Sequence, residues 1–244
     1  MVRKYENWYL KHHGKRVFFN TGKYLTMLFN YCGRKGYIKI VPTLSDLDEI
    51  IRTRSQKRDV GRVYSDAEIK GILENAKPRT ALGVMFGRYM GLRKKEFLSL
   101  KWESVDLKKW VARIWSFKNK QWRDIPIPRI MHAPLKAARQ EDLTTPFVFP
   151  SPTLPDKYIS LQRFDDDWTD AKRKAGISNW NVKFAARCHD LRHTFATQTA
   201  RDNWPPLIAC EMLDMSLEEY QKTYAHISTE DVRIWMKKSF EDPK

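Results

Sequence analysis

The apolar stretch at residues 81–90 restricts the possible folds more than any other part of this 244-residue sequence. It is long enough for one buried helix, and Gly91 directly after it is a typical helix-ending residue. A second helix is predicted over residues 66–75, because Ser65 and Glu68 have the spacing of a capping box. Two neighbouring helices, one of them buried, indicate a domain built mainly from helices.

Further segments extend this prediction in both directions. Residues 110–115 and 125–127 flank a polar stretch, 118–124, and predict a β-hairpin with short strands. Upstream, a basic amphipathic helix is predicted within residues 17–37, with Gly33 and Gly36 as end signals. Additional helices are predicted at 160–174, 189–201, 207–213 and 229–238. The predicted fold class is therefore α+β, mainly α, with one small antiparallel sheet.

Positive charge is concentrated near the N-terminus. Lys and Arg outnumber Asp and Glu by 45 to 29 in the whole chain, and residues 1–39 contain nine basic residues and one acid, Glu6. Such an excess attracts polyanions, because binding releases their counterions, so nucleic acid is the expected partner. The candidate contacts to DNA in this part of the chain are Lys11, Lys15, Arg16, Lys23, Arg34 and Lys35.

The domain boundaries follow from a change in composition. The charged stretch from residue 52 is nearly free of apolar residues and contains Gly61. We therefore predict a short helical DNA-binding segment at residues 1–51, a linker at 52–63 and the main domain at 64–244.

Several other classes of protein and site are not expected. No apolar run reaches the roughly 18 residues of a membrane span, and the N-terminus lacks the apolar core of a signal peptide. The cysteines Cys32, Cys188 and Cys210 form no CxxC pair, so we expect reduced thiols in a cytoplasmic protein and no zinc site. The consecutive acids at 165–167 are not expected to bind the metal ion of a nuclease, because neighbouring side chains on a helix diverge. We expect them to form a solvated face near a helix start.

Three separate segments carry the candidate chemistry. Arg93 lies at a predicted helix start with the carboxylate of Glu96 three residues later. His189 and Arg192 are also three residues apart and share one face of a predicted helix. Tyr224 lies in the sequence KTYAH, just before the last predicted helix. Each segment alone is unspecific, because an isolated arginine is usually a solvated helix end and a lone tyrosine has no diagnostic value.

In this order and spacing, the three segments resemble the tyrosine recombinase (phage integrase) family. The motifs are GLRKKE at residues 91–96, HDLRHTFAT at 189–197 and YAH at 224–226. The resemblance extends from about residue 64 to the C-terminus, and residues 23–40 are more loosely similar to the last helix of the family's core-binding domain. It implies the family's catalytic fold, preceded here by a short helical core-binding segment.

The resemblance also implies a reaction. Family members cleave one DNA strand by attack of a tyrosine hydroxyl on phosphorus, which gives a 3′-phosphotyrosine and a free 5′-hydroxyl, and then religate it. By this resemblance Tyr224 is the nucleophile and His189 the acid/base histidine. Arg93 and Arg192 are expected to bind the scissile phosphate, because planar guanidinium groups form paired hydrogen bonds to phosphate oxygens.

The resemblance assigns two supporting roles. Family members have a general-acid lysine in a hairpin, a few residues before an R-x-[VI]-P strand. That strand corresponds to residues 123–126, so Lys118 is the expected acid and Lys120 the alternative. Glu96 is expected to brace the arginines. Because the phosphotyrosine retains the energy of the broken bond, no metal ion or other cofactor is expected.

One position departs from the family pattern. The family usually has Leu-Gly-His, with the histidine (sometimes tryptophan) nine residues before the tyrosine. The corresponding residues here are Leu213, Asp214 and Met215. Methionine can pack as tryptophan does, but it is a poor hydrogen-bond partner for phosphate. Tyr220, the competing nucleophile, does not have the nine-residue spacing.

Taken as a whole, the resemblance implies site-specific recombination, in which a phage genome or mobile element is integrated or excised. The implied partners are double-stranded DNA sites, three further copies of the chain in a homotetramer on paired sites, and accessory DNA-bending proteins. The implied location is the cytoplasm, at the nucleoid or in the host of a phage. Two alternatives stay open: a non-catalytic DNA-binding derivative, favoured by Met215 and the short N-terminal region, and DNA relaxation of the type IB topoisomerase kind.

Overall fold

The computed structural model describes Lys4, Trp8, Lys11, His12 and residues 15–42, 62–141, 144–154, 156–177 and 187–224. The chain divides into two compact units, Met1–Asp59 and Val60–Lys244. In the first unit, helix α1 spans Lys15–Arg34, and Gly36 follows it with a φ of +72°. The predicted end signal at Gly36 is therefore confirmed, whereas Gly33 lies inside the helix.

The second unit is mainly helical with one three-stranded antiparallel sheet, which confirms the predicted fold class. Its helices are α2 (Asp66–Asn75), α3 (Pro78–Met90), α4 (Lys94–Leu98), α5 (His132–Glu141), α6 (Leu161–Lys174), α7 (His189–Arg201), α8 (Pro206–Leu213) and α9 (Leu217–Thr223). Its strands are β1 (Val105–Asp106), β2 (Val111–Ser116) and β3 (Gln121–Pro126), in the order β1-β2-β3. Two short 3-10 helices lie at Trp102–Ser104 and Arg129–Met131.

The element boundaries differ from the predicted ones in a few places. Helix α3 begins at Pro78 rather than at residue 81, because proline fits the first turn, where no backbone N–H is needed. Strand β3 begins at Gln121 within the stretch predicted as polar. The sequence does not show the alternation of apolar and polar residues expected of this strand, because the charged Arg123 occupies a buried position on the same face as Ile125. The predicted helix at 229–238 lies outside the described residues.

The core of the second unit surrounds helix α3. Four phenylalanine rings from α3, α4, α6 and the segment after α5 lie within 5.4–6.2 Å of a neighbouring ring centroid. These rings are Phe86, Phe97, Phe149 and Phe164, and each is at most 1% exposed. Full burial of one such side chain contributes about 1.5–3 kcal/mol. Helix α3 also packs against α7, which brings the GLRKKE and HDLRHTFAT segments together.

A smaller apolar cluster joins helices α7, α8 and α9. Its buried members are Phe195, Ala196, Ala209, Cys210, Leu213 and Tyr220. Met215 and Tyr224 pack against its edge. This cluster fixes the end of α9, where Tyr224 is the C-cap residue, relative to α7.

The turn after α3 requires glycine for two reasons. Gly91 has a φ of +64°, a conformation that side chains disfavour. A Cβ atom there would lie 2.5 Å from Cδ1 of Phe195 and 2.9 Å from Cδ2 of Leu213. Gly91 therefore lets the end of α3 meet the smaller cluster directly and places Arg93 at the start of α4.

Gly91→Ala should lower the free energy of unfolding by about 2–5 kcal/mol, the sum of backbone strain and overpacking. Gly176→Ala is the matched control, because Gly176 has a φ of +71° but no atom within 4 Å of an added Cβ. The control should cost only the strain, about 1–2 kcal/mol. Urea unfolding measures both, and equal losses would show that close packing at Gly91 does not limit substitution.

Within the described ranges, no helix is both long and apolar enough to cross a membrane. The thiols of Cys32, Cys188 and Cys210 are free.

Candidate active site

Arg93 lies at the N-cap of α4, held by two carboxylates. Its Nη1 donates to Glu96 Oε1 at 2.8 Å and to Asp214 Oδ2 at 2.6 Å, and its Nη2 donates to the carbonyl oxygen of Asp214 at 2.8 Å. Burial alone would lower the pKa of Arg93, but the hydrogen bonds and charges of Glu96 and Asp214 outweigh it and raise that pKa. Among the described residues nothing accepts from its Nε, so one edge of this fixed cation stays available to an anion.

Glu96 connects Arg93 to a second arginine that the sequence did not predict for the site. Glu96 is 2% exposed, and its Oε2 accepts from the backbone N–H of Arg93 at 2.9 Å and from Nη2 of Arg123 at 3.0 Å. Arg123 also donates to the carbonyl oxygen of Met212 at 2.6 Å. Glu96 therefore contacts Arg93 and Arg123, and no hydrogen bond of Glu96 to Arg192 is present among the described residues.

Arg192 is almost completely buried, at 4% exposure, beside the same turn. Its guanidinium donates to the carbonyl oxygens of Gly91, at 2.7 Å, and of Leu213. Burial and the positive charge of Arg93 lower the pKa of Arg192 to about 10, so it is still protonated at neutral pH. Within the part of the chain that the structure describes, no carboxylate forms an ion pair with it. A buried cation without an anionic partner favours the binding of an anion.

Tyr224 directly follows α9, and its hydroxyl lies 2.5 Å from Nδ1 of His193 on α7. Burial raises the pKa of Tyr224 to about 12, although the charge of Arg192 acts in the opposite direction. Burial lowers the pKa of His193, so its ring is neutral at pH 7. The protonated hydroxyl of Tyr224 can therefore donate to Nδ1 when the ring hydrogen is on Nε2.

The two histidines of the HDLRH segment are arranged differently from the prediction. His189 is exposed, and its ring packs edge-on against that of His193, with 4.8 Å between centroids. Partial loss of hydration and the nearby His193 and Arg192 lower the pKa of His189. The histidine in contact with Tyr224 is thus His193, four residues after the predicted acid/base residue, and the role of His189 stays a prediction.

Tyr220, the competing nucleophile, is a core residue. It is 1% exposed, and its hydroxyl pairs with Oγ1 of Thr199 at 3.1 Å. Tyr224 is partly exposed, its hydroxyl contacts His193, and the charge of Arg192 acts on it.

The candidate general acids lie in the turn between β2 and β3. Lys118 is half-exposed, and its Nζ lies 3.1 Å from Oε2 of Glu219, a similarly exposed residue of α9. Lys120 has a φ of +53° and is exposed, without a described ion pair. An exposed pair such as Lys118 and Glu219 is worth about 0–1 kcal/mol, so Lys118 is readily released to another anion.

Asp214 fixes this turn to Arg93. It is buried, and its carboxylate accepts from Ser116 Oγ at 2.7 Å and from Asn119 Nδ2 at 2.6 Å, in addition to Arg93. Burial would raise the pKa of Asp214, but the hydrogen bonds from Ser116, Arg93 and Asn119 hold it below its ordinary value. Met215 next to it is half-buried and makes apolar contacts with the smaller cluster.

The other predicted binding residues lie elsewhere. In the first unit Lys11, Lys23, Arg34 and Lys35 are exposed, while for Lys15 and Arg16 the structure describes the backbone alone. The acids at 165–167 do not form the solvated face that was predicted: Asp165 pairs with Lys94 and the largely buried Asp167 with Lys77, and Asp166 alone of the three is exposed. Among the described residues, no group of three His, Cys, Asp or Glu side chains is placed to hold a metal ion.

Three residues of this site were missed at the sequence level. His193 lies four residues after His189 on the same helix face, which was a usable signal. Arg123 lies in the R-x-[VI]-P strand, but an arginine there is expected to face solvent. Asp214 stands at the glycine position of the Leu-Gly-His pattern, and sequence spacing does not show that its carboxylate reaches the hairpin.

Comparison with known proteins supports the motif assignment. The sequence model of the phage integrase family matches residues 62–231. The integrase of Salmonella phage P22 is 26% identical over 192 residues, which cover 75% of this chain and 48% of that protein. The chain thus spans about half the length of this curated relative.

Solved structures of similar fold include recombinases and integrases. XerA recombinase is 23% identical with a TM-score of 0.57, over 100% of this chain and 82% of that one. The Tn1549 transposon integrase, solved with circular intermediate DNA, is 15% identical with a TM-score of 0.71, over 96% and 84%. A lambda integrase dimer bound to a COC′ core site is 16% identical with a TM-score of 0.67, over 93% and 65%. At these identities, the likeness shows the fold alone.

Proposed function

The chain belongs to the phage integrase family, and we propose that it is a tyrosine recombinase that cleaves and rejoins double-stranded DNA at specific sites. The observation that carries the proposal is the pairing of the Tyr224 hydroxyl with Nδ1 of His193 at 2.5 Å, in a site where the charge of the buried Arg192 acts on Tyr224. A nucleophile, its proton acceptor and a site for the phosphate are the parts that such a reaction needs.

The first step follows from these contacts. Oη of Tyr224 forms a bond to the scissile phosphorus, while its proton passes to Nδ1 of His193. The bond from phosphorus to the 5′-oxygen breaks, and Lys118 gives that oxygen a proton. The DNA 3′-phosphate is then esterified to Tyr224, and religation is the reverse sequence with another 5′-hydroxyl.

The arginines act on charge that grows during this step. The non-bridging oxygens of the pentacoordinate phosphorus are more negative than those of the bound phosphodiester. The available Nε edge of Arg93 and the unpaired charge of Arg192 would stabilise them. Glu96 and Asp214 keep Arg93 in one orientation, so little reorganisation is needed when the charge develops.

The biological substrate and assembly are part of the same proposal. The relatives are an integrase of a phage and one of a transposon, the latter solved with circular intermediate DNA, and lambda integrase was solved as a dimer on a core site. We propose integration or excision of a phage genome or mobile element in the cytoplasm. The active form would be a homotetramer on two paired sites, assisted by accessory DNA-bending proteins. The unit at residues 64–244 would catalyse the reaction, and residues 1–51 would contact DNA.

The test is covalent trapping. The chain is incubated with a nicked suicide duplex that carries the junction of the genetic element encoding it, so that the released strand diffuses away and religation stops. We expect a covalent protein–DNA band in denaturing gels and none with a scrambled junction. Binding without any adduct would favour a non-catalytic derivative, for which Met215 is the supporting observation. Adducts on both duplexes would indicate a relaxing enzyme without site specificity.

The proton acceptor is tested by the pH dependence of single-turnover cleavage. Because the pKa of His193 is lowered, the wild-type rate should be flat near neutral pH and fall in acid as the ring protonates. His193→Phe should lower the neutral rate by about 10²–10⁴-fold. Its rate should then rise with pH, because the pKa of Tyr224 is near 12 and water or hydroxide must take the proton.

His189→Phe is the matched control for that experiment. If His193 is the acceptor, the His189 variant should keep the wild-type shape of the pH profile. A changed profile in His189→Phe together with a wild-type profile in His193→Phe would instead restore His189 as the acid/base residue.

The N-terminal unit is tested by salt dependence. Neutralising the exposed Lys23, Arg34 and Lys35 with glutamine should weaken DNA binding. The slope of log K against log salt should become shallower by about 0.9 for each DNA phosphate that the variant no longer neutralises. A control triple variant changes Lys70, Arg173 and Lys174, which already pair with carboxylates of the protein. Equal slopes for the two triple variants would show that Lys23, Arg34 and Lys35 do not contact DNA.

A further inference from the structure

Asp214 has a backbone conformation and contacts to the β2–β3 turn that the nucleophile and the phosphate site do not explain. It caps α8 with φ of 48° and ψ of 59°, a conformation in which glycine is the usual residue. An aspartate there bears a strain that glycine would avoid. Its buried carboxylate accepts hydrogen bonds from three side chains, those of Arg93, Ser116 and Asn119.

Two of these partners lie on either side of Lys118. Ser116 ends β2, and Asn119 follows Lys118 directly. Ser116 also accepts from the backbone N–H of Asn119 at its Oγ, at 3.0 Å, and from that of Lys120 at its carbonyl, at 2.8 Å. Hydrogen bonds at both positions fix the backbone of the turn, so the point from which the Lys118 side chain extends is also fixed.

The third partner lies on the phosphate side of the site. The Oδ2 atom of Asp214 that accepts from Ser116 at 2.7 Å also accepts from Nη1 of Arg93 at 2.6 Å. The carbonyl oxygen of Asp214 accepts from Nη2 of the same arginine. Charge-assisted bonds of this kind are shorter and stronger than neutral ones. One residue thus sets the spacing between Arg93 and the turn that carries Lys118.

We propose that Asp214 is a positioning residue that holds the β2–β3 turn against Arg93, so that Lys118 reaches the leaving oxygen of a phosphate bound at Arg93. This inference rests on the proposed function. The competing contact of Lys118 with Glu219 is between half-exposed groups and is weak, whereas the bonds of Asp214 are buried. DNA therefore displaces Glu219 from Lys118 while the turn stays in place.

The test uses Asp214→Gly, which removes the carboxylate and relieves the backbone strain, so the fold is retained. Cleavage is compared on ordinary DNA and on DNA with a 5′-bridging phosphorothiolate, whose leaving group needs no proton. On ordinary DNA the variant should be slower than wild type by about 10²-fold. On the phosphorothiolate it should approach the wild-type rate, because the role of Lys118 is bypassed and Arg93 keeps its bonds to Glu96 and to the carbonyl oxygen of residue 214.

A second readout does not depend on catalysis. Hydrogen exchange at the amides of Asn119 and Lys120 should be faster in Asp214→Gly than in wild type. Asn203→Gly is the matched control, since Asn203 is exposed and also has a positive φ, of 54°. It should change neither the cleavage rates nor the exchange of the turn.

The outcomes separate this proposal from the proposed function. Equal slowing on both DNAs, unchanged rates on both, or unchanged exchange in the turn would each overturn the role of Asp214. Failure of the wild-type chain to form an adduct on either DNA would overturn the proposed function, and with it the catalytic part of this inference. Faster exchange in that case would still show that Asp214 holds the turn.

Discussion

Tyr224→Phe should abolish covalent attachment of DNA and leave DNA affinity within a few-fold of wild type. The variant lacks only the Oη atom that would attack phosphorus, and the aromatic ring still packs against the smaller apolar cluster. Loss of a nucleophile that forms a covalent intermediate has no partial substitute in the site, since Tyr220 is buried and paired with Thr199. Adduct formation on suicide DNA and an equilibrium binding assay measure the two effects.

Tyr220→Phe is the matched control. It removes a buried hydroxyl that pairs with Thr199, so it should cost about 1 kcal/mol in stability and retain adduct formation. The assignment of the nucleophile is wrong if Tyr224→Phe still forms the adduct and Tyr220→Phe does not.

Alanine at Arg93, Arg192 or Lys118 should each reduce the cleavage rate by about 10²–10³-fold and affect DNA binding much less. These side chains are assigned to charge that is largest in the transition state, so their removal acts on the rate rather than on the affinity. Single-turnover cleavage and equilibrium binding on the same duplex separate the two effects. Arg192 is buried, so the folded state of its alanine variant is checked by urea unfolding.

Cleavage of the 5′-bridging phosphorothiolate DNA should then distinguish the lysine variant from the two arginine variants. Its leaving group needs no proton, so it should restore Lys118→Ala and leave Arg93→Ala and Arg192→Ala slow. Lys120→Ala is the control within the turn and should be nearly as fast as wild type on ordinary DNA. Equal restoration of all three variants, or a defect in Lys120→Ala that the phosphorothiolate alone corrects, would contradict the assignment of Lys118.

Local patterns predicted most of the helices of the second unit. The capping box of Ser65 and Glu68 formed as expected, with Glu68 donating its backbone N–H to Ser65 Oγ. Gly91 ends α3 as predicted, because its αL conformation and the close approach of Phe195 both favour a residue without a side chain. Such signals involve residues only a few positions apart, so they can be recognised in a single sequence.

The parts of the site that the sequence did not predict depend on contacts between residues that are far apart in the sequence. Asp214 meets Ser116 and Asn119 across about a hundred residues of sequence, and Arg123 on β3 meets Glu96 on α4. Whether a buried charge is compensated depends on these long-range contacts. The family motifs nevertheless indicated Arg93, Arg192 and Tyr224, which the structure places at the N-cap of α4, in the first turn of α7 and at the C-cap of α9.

Met215 is a departure from the family pattern that the sequence shows but whose structural surroundings it does not. Methionine replaces the histidine of the family pattern at position 215, and in the structure Met215 packs against the smaller apolar cluster, as Tyr224 does. Its neighbour Asp214 supplies polar contacts that the sequence pattern does not contain. Both residues that differ from the Leu-Gly-His pattern, Asp214 and Met215, therefore have to be considered together.

The most direct measurement is the identity of the residue that carries DNA in the trapped adduct. The adduct is trimmed with nuclease, digested with trypsin and analysed by mass spectrometry. Cleavage after Lys222 places Tyr224 in the peptide at 223–233 and Tyr220 in the preceding peptide, 202–222, so the two tyrosines are separated. We expect a nucleotide joined through its 3′-phosphate to Tyr224 alone. A nucleotide on Tyr220 or on any other residue would contradict the assignment of the nucleophile.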